Sequence, residues 1–157
     1  MSTRSIVFEE THFPVVELRC APQLGAGAAS ELDGGFEQLF ARRARFAIVC
    51  DLRSVTSVPD ALTRKRLAEV LNRADFRAQQ GRYQVCSANV VASAPIRAAL
   101  TALLWIWTPP SPMSVFAELD EAVHWSIGRL REERVEIPTP VLTWADALRP
   151  GSRSRTG

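Results

Sequence analysis

The chain has 157 residues, a net charge of +2, and 23% charged against 46% apolar residues. That balance suits one globular domain with a full core, and it excludes a strongly basic binder of nucleic acid or anionic membrane. Cys20, Cys50 and Cys86 are odd in number with no close pair, which argues against a disulfide framework or a zinc site, and Cys50 and Cys86, each inside an apolar strand pattern, read as small buried hydrophobes.

Residues 5–9 suggest a first, edge strand, interrupted by His12 and Pro14. Residues 15–20 alternate Val15, Glu17, Arg19 with Val16, Leu18, Cys20, the period of a half-buried strand, so the two read as an antiparallel opening pair. Ser30 and Asp33 carry a capping signature for a helix whose Leu32, Phe36, Leu39 and Phe40 share a face, closed by Arg42, Arg43 and Arg45. The unbroken run 46–50 then reads as a strand buried on both faces, the habit of a parallel sheet. Pro59 and Asp60 open a second helix over 59–80 with Leu67, Val70, Leu71 and Ala74 inward and Gly81 as its stop. A strand over 84–92 carries Val85, Val90 and Val91. Ser93 caps a third helix with Pro95 in its first turn and Ile96, Leu100, Leu103 and Leu104 as its core stripe. Pro109, Pro110 and Pro112 stop it. A short strand over 113–117 precedes a helix over 118–133 with Leu119, Ala122, Val123, Ile127 and Leu130 inward. Residues 141–148 suggest one more short helical turn with Trp144 docking back, and 151–157 read as disordered. The order ββαβαβαβα implies an α/β domain with about four helices on a mixed, mostly parallel sheet. Residues 1–137 make this domain and 138–157 a partly disordered C-terminal extension.

The order of elements, the strand ending in Asp51-Leu-Arg-Ser-Val-Thr, the segment Ala99-Leu-Thr-Ala-Leu-Leu-Trp and the segment Val115-Phe-Ala-Glu-Leu-Asp-Glu-Ala-Val-His-Trp resemble the STAS fold, also called SpoIIAA-like. Anti-sigma factor antagonists and sulfate transporters carry such domains, and bacterial STAS-like proteins of unassigned role are the nearer likeness. The resemblance spans residues 5–133 and implies a bacterial signalling regulator that works by protein–protein interaction. One departure stands out. The antagonists follow this strand with Asp-Ser-Ser-Gly, whose serine a partner kinase phosphorylates. The matching stretch here is Val58-Pro59-Asp60-Ala61, which holds no serine, so that the Asp60 carboxylate stands as a permanent charge or simply favours a helix terminus.

No nucleophile elbow, phosphate loop or metal spacing appears, and His12 and His124 have no nucleophile pattern near them. No catalytic residue, cofactor or metal is therefore expected, and the chain reads as a non-enzyme. Two groups of candidates remain. Asp51, Ser54, Thr56, Ser57 and Asp60 form a loop at a strand's carboxyl end that could act as a phosphorylation switch, against ordinary turn chemistry. Arg66, Trp105, Trp107 and Met113 mark a partner or ligand surface, because 105–113 carries more apolar surface than one core contact needs. The leading reading is a regulatory module that binds a protein partner or itself through the 59–80 helix or the 105–113 segment. The alternative is a carrier or sensor of a small apolar ligand, since similar sheets in the CRAL-TRIO group hold lipids and the small residues at 98–102 could leave a cavity. The N-terminus lacks a signal-peptide core and the apolar stretch 98–107 is too short to span a bilayer, which predicts a cytoplasmic protein without a transmembrane segment.

Overall fold

The computed structural model describes residues 3–151. Its central element is β3 (Phe46–Asp51). An apolar run without alternation needs cover on both faces, and β3 has it: Phe46 and Ile48 join one hydrophobic cluster, Ala47 and Val49 the other. The five strands stand in the order β1 (Ile6–Glu9), β2 (Val15–Cys20), β3, β4 (Gln84–Val90), β5 (Met113–Phe116). β1 pairs with β2 antiparallel, and every later pair is parallel. The mixed sheet expected from the alternation of patterns is borne out.

The two faces are covered differently. Over one lie α5 (Leu119–Glu132) and α6 (Thr139–Ala147), which bury Ala122, Val123, Ile127, Leu130, Val141 and Ala145 against Val15, Val49, Cys86 and Ala88. Trp144 of α6 stacks on His12 with ring centres 3.9 Å apart. Over the other face lie α1 (Ala28–Ala41) and α3 (Ala74–Tyr83), with α2 (Ala61–Asn72) and α4 (Ala94–Ile106) beside them. Here Phe76 meets Phe36 at 5.1 Å and Phe40 at 5.5 Å, both edge-on, the favoured geometry for aromatic pairs.

Three local readings change. The first helix begins at Ala28 rather than at Ser30, with no side-chain cap. Its acidic group is used elsewhere: Glu31 accepts the backbone N–H groups of Ser5 and Ile6, each at 2.8 Å, so it satisfies the start of β1 instead. The 59–80 helix is two helices, broken at Arg73, which is extended (φ −63°, ψ 132°). The Arg73 guanidinium is gripped by both oxygens of Asp33 on α1 at 2.9 Å each. The extended residue re-aims the chain so that Phe76 enters the aromatic cluster while Ala74, expected inward, is exposed. Gly81 does not stop α3, which runs on to Tyr83. With α6 these changes bring the helices among the described residues to six. From 152 onward the stretch expected to be disordered lies outside the described residues. Among the described residues no helix is long and apolar enough to cross a membrane.

Candidate functional site

The α4 helix decides the site. Its start is well specified: Ser93 accepts the Ile96 N–H at 3.4 Å, and Pro95 stands in the first turn. Yet its backbone makes almost no close approach to any other element. Of the stripe expected in the core, Ile96 is buried, Leu100 and Leu103 are half-buried, and Leu104 is exposed. The stripe faces a cleft of about 770 Å³ rather than a closed core. That is the size of a small-molecule site, roughly 300–1,000 Å³.

The sheet forms the floor of this cleft, with Leu18, Ile48, Cys50 and Asn89 among its residues. α2 supplies one wall through Leu67, Ala68 and Leu71, and α4 the other through Ile96, Ala99, Leu100 and Leu103. Ala99 and Ala102 are too small to fill the space beneath α4. The loop 52–61 borders one end with Val55, Val58 and Pro59, and Arg64 and Lys65 of α2 stand beside it. Among the lining residues there is no histidine, aspartate or glutamate. Cys20 and Cys50 line the floor from neighbouring strands. Hydrogen bonding to Cys20 and burial hold the Cys50 thiol well above its ordinary range, so it stays protonated at neutral pH.

The opposite end of the cleft is polar and buried. The register of β3 and β4 shifts there, with Phe46 opposite Gln84 but Ala47 opposite Cys86. The bulge at Val85 carries Val85 and Cys86 to the far cluster and lets Gln84, Ser87 and Asn89 all face the cleft. Gln84 is 4% exposed, Asn89 5%, and Gln80 of α3 3%. The Gln80 amide donates to Gln84 Oε1 at 3.1 Å, and the Gln84 amide donates to Ser111 Oγ at 3.4 Å. Over this end runs the segment after α4. Arg77 donates to the Thr108 carbonyl at 3.0 Å, and Trp107 is 8% exposed. The candidates Trp107 and Met113 thus line the cleft. Trp105 points away from it and is 86% exposed, beside Ala98, Thr101 and Ala102 on the outer side of α4.

Scanned by sequence, the chain matches no protein-family model and no curated protein. Solved structures do match its shape. A protein of the DUF3478 family with a SpoIIAA-like fold, from Shewanella loihica PV-4, superposes with a TM-score of 0.56 at 12% identity, over 80% of this chain and 98% of that one. The fold is SpoIIAA-like. An anti-sigma factor antagonist from Mycobacterium paratuberculosis matches at a TM-score of 0.46 and 16% identity, over 81% of this chain and 99% of that one.

On this SpoIIAA-like fold the switch-loop candidates are spread along the turn from β3 to α2. Asp51 binds the Arg53 guanidinium at 2.9 and 2.8 Å and accepts the Arg53 N–H at 3.1 Å. Burial works against its charge, but these bonds to Arg53 outweigh it and hold the carboxyl below its ordinary range. Thr56 donates its hydroxyl to the Pro22 carbonyl at 3.1 Å, and Ser54 and Ser57 are exposed. Asp60 caps α2 by accepting the Thr63 N–H at 2.7 Å. Arg66 is exposed on α2. Neither histidine lines the cleft: His12 stacks on Trp144, and His124 on α5 accepts from Arg149 Nε at 3.1 Å. Sequence reasoning missed Gln80, Gln84 and Asn89. The signal available was amides inside an otherwise apolar strand pattern.

Proposed function

We propose that this chain is a non-catalytic binding module that takes one small apolar molecule in the cleft between the sheet and α4. The observation that carries this reading is the cleft itself: about 770 Å³, walled by aliphatic and aromatic side chains, under a helix that stays off the sheet. An apolar molecule there would be removed from water on several sides and would gain roughly 25 cal/mol for each Å² of apolar surface buried. The absence of carboxylates and imidazoles from the lining supports the non-catalytic part of the reading.

One observation favours a second reading, in which the module also docks on a protein. Trp105 is 86% exposed on the outer side of α4, and large exposed aromatics are over-represented where partners anchor. Through α4, an occupied cleft and a partner on Trp105 would be linked.

Native mass spectrometry of the gently purified chain tests both. A bound mass lost on denaturation, and absent from Ala99→Trp, which fills the cleft, is the expected result. A bare chain in both proteins would overturn the carrier reading. A dimer in the wild type that disappears in Trp105→Glu would then leave the docking surface as the function.

A further inference from the structure

The cleft under α4 is covered at one end and open at the other. Where β4 begins, the segment 107–113 lies over it, tied down through Arg77 to Thr108 and Gln84 to Ser111, and Gln80, Gln84 and Trp107 are all buried. The other end lies at the carboxyl ends of the strands, where open α/β sheets place their ligands. Its rim is exposed: Val58 at 41%, with Arg64 and Lys65 beside it. Among the described residues that line the cleft, Arg64 and Lys65 are the charged ones, and both are cations. Ala61 and Ile96, in the first turns of α2 and α4, line the same end. Each of these helices starts just after a strand of the parallel sheet, so both turn their positive ends toward this rim.

Both cations keep donors for a ligand. Arg64 donates one N–H to the Pro59 carbonyl at 2.8 Å, and a guanidinium has five. Lys65 stands 4.0 Å from Glu69, an exposed pair of little strength. Asp60 adjoins them, but its carboxylate accepts the Thr63 N–H of its own helix, and neither Asp60 nor Glu69 lines the cleft.

We infer that the cleft takes an anionic single-tailed amphiphile, an alkyl carboxylate in chemical class, with its head at the Arg64–Lys65 rim and its tail under α4. This inference rests on the apolar-ligand reading and deepens it. Charge decides the orientation. At the rim the head stays in water within the field of both cations, so no single oxygen has to reach both and no charge is buried. At the covered end no cation lines the wall, and burying an unpaired charge costs far more than burying a neutral polar group. The tail lies against Leu67, Leu71, Leu100 and Leu103 and leaves water there. A neutral head gains little from the two cations, and a cationic head is repelled by them.

The test is displacement of an uncharged, environment-sensitive apolar dye from the full chain, at neutral pH and low salt, by decanoate, decanol and decylammonium, which share one tail. Decanoate is expected to compete about tenfold more tightly than decanol, and decylammonium most weakly. The preference should shrink at high salt, because the head stands in water. The double variant Arg64→Gln, Lys65→Gln is expected to keep dye uptake and competition by decanol and to lose most of the preference for decanoate. Arg131 is an exposed cation of α5, on the other face of the sheet, and Arg131→Gln should keep that preference. Decanol competing as well as decanoate would overturn the inference, with the carrier reading intact. A preference kept in the double variant, or lost as fully in Arg131→Gln, would overturn it too. A wild-type chain that takes up neither dye nor any of the three overturns the inference together with the reading beneath it.

Discussion

At the scale of single residues, adjacent glycines in α1 have opposite meanings. Nothing lies within 4 Å of a methyl placed on Gly34, whereas one on Gly35 would overlap the Phe8 ring. That ring sits edge-on to Phe36 at 5.3 Å, so it has little room to retreat. Gly35 is what lets α1 approach β1. Replacing a helical glycine by alanine ordinarily gains about 1 kcal/mol, and forcing a methyl into a packed site costs about 1–3 kcal/mol. Gly34→Ala should therefore stabilise by up to about 1 kcal/mol and Gly35→Ala should destabilise by up to about 2 kcal/mol. Urea unfolding at constant slope checks both signs. The sequence shows two equivalent glycines in a helical pattern, because the distinction belongs to Phe8, far away in the chain. The amides are similar. Gln80, Gln84 and Asn89 read as ordinary polar residues in sequence, and only the bulge at Val85 turns Gln84, Ser87 and Asn89 to one face.

At the scale of elements, the break between α2 and α3 coincides with an ion pair between distant segments. Arg73 binds Asp33 bidentately and Asp75 at 2.7 Å. The bond to Arg73 holds the Asp33 carboxyl below its ordinary value of 3.8. A carboxyl whose folded value is depressed contributes stability that is fully present above the unfolded value and is lost as pH falls through the folded one. The wild type should thus lose thermal stability as pH drops below about 4. Arg73→Leu should lower the melting temperature at neutral pH in low salt, show a shallower decline on that acid limb, and narrow its gap to the wild type in high salt, where exposed pairs are screened. Calorimetric melts across pH and salt measure all three. An acid limb equally steep in Arg73→Leu would assign the loss to other carboxyls. A helical period shows that residues around Arg73 favour helix, but it is blind to Asp33, which meets Arg73 at the break from a distant part of the chain.

For the whole molecule, the consequence is an asymmetric sandwich. Beneath α5 the sheet is closed by Val123, Ile127 and Leu130, all buried. On the other face α1 and α3 close only the part under the phenylalanine cluster, and α4 roofs the remainder without packing down on it. Helices with few packed contacts open at a small fraction of the global free energy. Backbone amides of α4 are therefore expected to exchange with deuterium well before those of β3 and α5. A bound apolar molecule should slow exchange in α4 selectively, and at about 100 times its dissociation constant it should add about 2.7 kcal/mol of stability. Hydrogen exchange resolved by segment checks this, and equal protection of α4 and α5 in the free chain would contradict it. Much of the architecture was already determined by the sequence alone. The strand that is apolar on both faces, the antiparallel opening pair and the cap at Ser93 arise from local periodicity and local hydrogen bonding. By contrast Asp60, read only as a favourable charge inside a helix opened by Pro59, is the N-cap of α2, and β2, read as half-buried, is buried on both faces. Whether the Leu100 and Leu103 stripe meets a core or a cleft was decided only by the tertiary structure. An apolar face specifies that something must cover it, but the distance to that cover depends on Ala99, Ala102 and the width of the sheet beneath, brought together from separate parts of the chain.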